Sequence, residues 1–170
     1  MEIKKLANNV LNFAIDRIIQ IFGIGIVLIG FLLLISLASF SPDDPNFIYT
    51  KNVNIKNLLG FRGSFTSDFF FQSFGLIALL IPFGFILNGV NIVLNKKILL
   101  IIENLFYTIL YLSVGSLFFS FFYPDAFKLY INGNGGFIGS YLNTTFLNSL
   151  ITINPQISYY LLILLVLALF

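Results

Sequence analysis

The chain has 170 residues, of which 58% are hydrophobic, 18% aromatic and only 9% charged, with a formal net charge of +2. Soluble domains carry about a quarter charged residues, so this chain belongs among integral membrane proteins, and with no block of like charges it offers no surface for direct nucleic-acid binding. It has neither cysteine nor histidine, which excludes thiol nucleophiles, disulfides, the usual zinc sites and imidazole acid–base chemistry.

The first element is a short amphipathic segment over residues 1–17, with Ile3, Leu6, Val10 and Phe13 on one helical face, lying along the membrane surface. An uncharged run follows over residues 18–40 and makes the first span, since about 20 apolar residues cross the hydrocarbon core. This run is longer than a signal-peptide h-region and begins later, which argues against cleavage. It ends in "SPDDP", Ser41 to Pro45. Pro42 and Pro45 stop the helix, and Asp43 and Asp44 favour a hydrated turn. As sequence neighbours between prolines, the two carboxylates do not easily converge on one substrate atom, so they are not read as a catalytic pair.

The second span covers residues 69–94, interrupted by Gln72, Asn88 and Asn91, and the third covers residues 98–122 and contains Glu103. Between them lies a basic hairpin, "NKK", at Asn95 to Lys97. An acid inside a span often marks an ion or proton path, yet Glu103 sits only about 9 Å past Lys97 by helix rise. Asn88 falls at the same depth on the neighbouring helix, so the expectation is a bundle-facing Glu103 bonded to Asn88 or Asn91 and setting packing register. The alternative is a small transporter or channel component that uses Glu103.

Small residues mark close-packing faces: Gly23, Gly25 and Gly30 in the first span, Gly75, Ala78, Gly84 and Gly89 in the second, and Ser113, Ser116 and Ser120 in the third. After the third span, "GNGGFIG" at Gly133 to Gly139 fails the phosphate-loop test, because no strand precedes it and no GxxxxGK[ST] motif occurs. It reads as a turn opening an interfacial helix over residues 137–152, with Ser140, Thr144, Asn148 and Thr152 on its polar face. The last apolar run, residues 157–170, reaches only about 21 Å and reads as a fourth span cut short, as if the chain were a piece of a longer protein.

Lys4, Lys5, Arg17, Lys96 and Lys97 are dense on one side of an alternating topology, whereas Lys51, Lys56, Arg62 and Lys128 are spread over long loops on the other. That bias points to a cytoplasmic N-terminus. Tyr123, Tyr159 and Tyr160 fall on one common membrane interface. The fold expectation is an all-α membrane protein, a four-helix transmembrane bundle with a truncated fourth helix and a periplasmic interfacial helix. No catalytic, cofactor-binding or metal-binding residue is expected.

The order of these motifs resembles the N-terminal membrane domain of the FtsK-type (FtsK/SpoIIIE) bacterial DNA translocases. Ser41, Pro42, Asp44 and Pro45 match the family's signature after its first helix. Gly60, Gly63 and Asp68 match its entry to the second helix, followed by Gly75 and Pro82, and Gly135, Gly136 and Gly139 match its approach to the fourth. The resemblance implies an anchoring and assembly domain in the bacterial cytoplasmic membrane, at the division septum. Its implied partners are the lipid bilayer, other division proteins and further copies of the chain. DNA is implied only through a motor and a winged-helix domain that this sequence does not contain.

Overall fold

The computed structural model describes residues 2–45, 54–125 and 132–170, with side chains from residue 6 onward. Asn46, Phe47, Lys51 and Lys128 lie outside the described residues. The elements are all helical: α1 (Glu2–Ala38), α2 (Gly60–Phe74), a 3-10 turn (Gly75–Leu80), α3 (Ile81–Asn95), α4 (Leu100–Phe122), α5 (Gly136–Asn143), α6 (Phe146–Ile153) and α7 (Pro155–Leu169).

The expectation of a separate surface helix before the first span is corrected, because α1 runs unbroken for 37 residues. Nothing between Glu2 and Ala38 breaks a helix, and the first proline comes only at Pro42. At 1.5 Å per residue α1 reaches about 55 Å, well beyond the hydrocarbon thickness, so its extra turns carry the charged residues. The second apolar helix also starts earlier than expected, at Gly60 rather than residue 69. Asn57 builds that start: its carbonyl accepts from Gly60 N at 2.9 Å and its Oδ1 from Leu59 N at 3.1 Å. Gly75, at φ +70°, then ends α2, and α3 resumes with Pro82 in its first turn, where a missing N–H costs no hydrogen bond.

Three antiparallel contacts set the topology. Gly23 faces Gly89 and Val93, while Gly30 faces Pro82 and Ile86, so α3 runs against α1. Gly115 faces Ile77, and Gly84 faces Tyr111, so α4 runs against α3 and its leading turn. Tyr159 lies 5.2 Å from Phe118 and Phe170 lies 5.4 Å from Tyr111, so α7 runs against α4. The result is an up-down-up-down bundle with two buried clusters. One, around Leu33, Phe71, Ile77, Ile81 and Tyr111, joins α1 to α4. The other, around Leu117, Phe118, Ile151 and Leu162, joins α4 to α6 and α7. Many large apolar side chains point outward, among them Leu28, Phe31, Leu105, Phe106 and Leu164, as they must where the solvent is lipid.

Among the described residues, three helices are long and apolar enough to cross a membrane, and α6 with α7 adds a fourth if that bent pair is one span. The pair turns by 115° at Asn154, whose side chain accepts from Ile157 N at 3.1 Å and so caps α7, with Pro155 in its first turn. The single interfacial helix expected over residues 137–152 is instead two short helices. The Thr144 and Thr145 hydroxyls bond back to the carbonyls of Tyr141 and Leu142 at 2.7 and 2.6 Å and close α5. Thr145 Oγ1 then accepts from Leu147 N at 3.3 Å and opens α6. Periodicity survived this break in the sequence because the two helices keep the same apolar spacing.

Candidate functional site

The α1 C-terminus and the α4 C-terminus lie at the same end of the bundle, opposite the Lys96–Lys97 hairpin. Most of the residues that the sequence singles out gather there into two polar junctions, apart from Asp68, further along α2, and Pro82, which is buried against Gly30 in the α1–α3 contact.

The first junction ties the exit of α1 to the entry of α2. Ser41 O accepts from Asp44 N at 3.2 Å, forming the turn that the two prolines favour. The turn swings Asp44 inward, where only 4% of it remains exposed. Its carboxylate oxygens accept one bond each, from Lys56 N and Asn57 N, both at 2.8 Å. Asn57 is equally buried and spans the gap: Nδ2 donates to Ser36 O at 2.9 Å and to Ser39 O at 3.2 Å. Ser36 Oγ donates to Gly63 O at 2.7 Å, and Ser64 Oγ donates to Pro45 O at 2.8 Å. Ser67 Oγ adds a bond to Gly63 O at 2.9 Å.

Gly63 is required by this crowding, since a Cβ there would fall 2.0 Å from Asn57 Oδ1. Gly60 serves the backbone instead, with φ +65° and open space around it. Asp43 points the other way and forms an exposed ion pair with Lys56 at 2.8 Å, which holds the Lys56 ammonium above its ordinary 10.5 through the hydrogen bond and the carboxylate charge. Asp68 lies further along α2, 8% exposed, beside Phe65, Gln72 and Asn132 at a cavity of about 470 Å³.

The second junction locks the break between α2 and α3 onto α4 and α5. Leu76 N donates to Asn134 O at 2.9 Å, and Ser116 Oγ donates to Phe74 O at 2.8 Å. Asn134 is fully buried, and its Nδ2 donates to Tyr123 O at 2.6 Å. Backbones touch here. A Cβ on Gly75 would lie 1.9 Å from Asn134 O, and one on Gly136 would lie 2.5 Å from Gly75 N. One on Gly139 would lie 2.2 Å from Ser116 O, and one on Gly135 would lie 2.5 Å from the Ser120 Cβ. The glycine run is therefore a packing surface against Ser116 and Ser120, whereas Ser113, expected on the same face, bonds back to Ile109 O within α4. Nearby, the Tyr123 and Tyr159 hydroxyls meet at 2.9 Å, which places the two tyrosines on one level.

The expected bond between Glu103 and Asn88 or Asn91 does not form, and that reading is corrected. Glu103 is exposed on the outer surface of α4. Asn91 Oδ1 accepts instead from Asn95 Nδ2 within α3, and Asn88 lines a small apolar cavity with Phe85, Ile92 and Thr108. The neighbour Asn104, not Glu103, turns its amide inward. The cause is rotational: Ile101, Leu105 and Thr108 are the α4 residues that line this cavity beside Asn88, and Glu103 falls off that helical face. A transporter path through Glu103 finds no geometric support.

Asn57 and Asn134, the two pivots, were missed by sequence reasoning. Each lies just before a helix that starts at a glycine, Asn57 before Gly60 and Asn134 before Gly136, a spacing that signals a turn but not its distant partners. The polar side chains in both junctions bond backbone groups and leave no converging nucleophile, base and acid. Among the described residues, no group of three acidic, histidine or cysteine side chains could hold a metal ion.

Three curated relatives, each a DNA translocase FtsK, come from Rickettsia typhi (39% identical), Rickettsia prowazekii (38%) and Rickettsia bellii (39%). Each match covers 64 residues, 38% of this chain but only 9%, 9% and 8% of the respective relative. No solved structure matches the chain. The family model for the 4TM region of DNA translocase FtsK/SpoIIIE matches residues 16–170, which takes in both junctions and all four long apolar segments. The chain therefore belongs to the FtsK/SpoIIIE four-transmembrane family.

Proposed function

We propose that this chain is the membrane-anchoring and assembly domain of a cell-division DNA translocase, holding a cytoplasmic ATP-driven motor at the septum during chromosome segregation. The observation that carries this reading is the family match over residues 16–170, and it is supported by the helix junctions built by Asp44, Gly63, Gly75 and Gly136. Those junctions make a rigid multi-helix body, which suits an anchor. They perform no chemistry, and the chain acts without cofactor or catalytic residue. Its partners are the bilayer, other division proteins and further copies of itself, and DNA is engaged only by a motor outside this chain.

The N-terminus faces the cytoplasm in this reading. Lys4, Lys5 and Arg17 on the early turns of α1 share one end of the bundle with Lys96 and Lys97, and Lys96 pairs with Asp16 at 2.9 Å. The two junctions then face the periplasm of a bacterial inner membrane. The test is imaging of the chain fused to a fluorescent protein in dividing bacteria. Bands at the constriction are expected, and uniform labelling of the cell envelope overturns the septal role.

A further inference from the structure

We propose that the cleft between α1 and α2 binds one anionic phospholipid, with an acyl chain along α1 and its phosphate on Arg62. This goes beyond the anchoring role and does not depend on it. The cleft has a volume of about 350 Å³. Its wall on α1 is Ile29, Leu32 and Leu33, spaced to share one helical face, and Leu59 closes the opposite side. Ile29 and Leu32 are 48% and 52% exposed, so the cleft opens sideways to lipid rather than into the bundle. At its floor the Ser36 hydroxyl is already bonded to Gly63 O at 2.7 Å. Little in the apolar part invites water, and a hydrocarbon chain fits the wall.

The rim is different. Arg62 and Thr66 stand one turn apart on α2 at the mouth of the cleft. Arg62 is exposed, and among the described residues its guanidinium meets no carboxylate within ion-pair distance. Lys56 and Lys96, by contrast, are each paired with an aspartate. Arg62 is also the third residue of α2, so the positive end of the helix dipole reinforces its charge. A guanidinium is suited to grip a phosphate through paired N–H donors, and it stands where the apolar wall gives way to the polar junction. A cation above an apolar cleft that opens to the bilayer selects an anionic lipid over a zwitterionic one.

The test titrates the purified full chain in detergent with dioleoyl phosphatidylglycerol or dioleoyl phosphatidylethanolamine and counts retained lipid by native mass spectrometry. One phosphatidylglycerol per chain is expected in preference. Arg62→Gln should cut that preference roughly fivefold, whereas Arg17→Gln should leave it intact. Both side chains are exposed, and circular dichroism confirms that the variants keep their helices. Ile29→Trp, which fills the cleft, should lower retention with Arg62 still present, and glycerol phosphate without acyl chains should not compete. Equal retention of the two lipids overturns the proposal. So does an unchanged preference in Arg62→Gln, unchanged retention in Ile29→Trp, or effective competition by glycerol phosphate.

Discussion

Asp44 and Asp43 show how far apart the roles of two adjacent, identical residues can lie. Asp44 is buried and caps two backbone N–H groups of the incoming loop, whereas Asp43 is exposed and pairs with an exposed lysine. Bonds to a charged acceptor contribute more than neutral ones, so Asp44→Ala should destabilise the folded chain by about 2–3 kcal/mol. Asp43→Ala should leave stability nearly unchanged, because an exposed ion pair contributes little. Denaturant unfolding of the purified variants in detergent checks the difference, and equal losses contradict the division of labour. Gly75 is a second decisive residue. Its φ of +70° and ψ of −149° lie in backbone space open almost only to glycine. Gly75→Ala also drives a Cβ into the Asn134 carbonyl, and a loss of about 3 kcal/mol or more is expected in the same assay.

Among the elements, α1 and α3 form the tightest pair because glycines let their backbones approach. Gly23 and Gly89 lie against each other's carbonyl, with a Cβ at either position 2.9 and 2.7 Å from the facing oxygen. In a bilayer no hydrophobic force drives two apolar helices together, so close packing has to hold them. Gly89→Leu is therefore expected to pry α1 from α3 and lower the unfolding midpoint sharply. Gly25→Leu should be tolerated, because nothing lies within 4 Å of its added Cβ. The two variants change sequence in the same way, so thermal unfolding followed by size-exclusion chromatography isolates the packing contribution. Similar loss in both variants contradicts the zipper.

For the whole molecule, the antiparallel order of α1, α3, α4 and α7 puts the Lys96–Lys97 hairpin and the Ser41–Pro45 turn at opposite ends. The chain contains no cysteine, so single cysteines can be introduced without background. Lys97→Cys should react with an impermeant maleimide only after the inner membrane is opened. Pro42→Cys, exposed beside the turn, should react in intact spheroplasts. Labelling of both from the same side overturns the topology, and labelling in the reverse order overturns the cytoplasmic N-terminus.

Composition and long apolar runs determined the class of this protein, because lipid demands about 20 apolar residues per crossing whatever the neighbours are. The signature order was equally legible, and it led to the family. Tertiary structure decided the rest. Glu103 read as buried from hydropathy, yet it faces outward, since burial in a bundle depends on which helical face a residue takes and not on depth alone. The run from Gly133 to Gly139 read as a turn, yet its Gly135, Gly136 and Gly139 are also contact surfaces. "SPDDP" read as a helix stop, and it is one, but the second aspartate also anchors the next helix through Asn57, a residue 13 positions away from Asp44. Such partners are set by chain packing across loops, and local spacing carries no record of them.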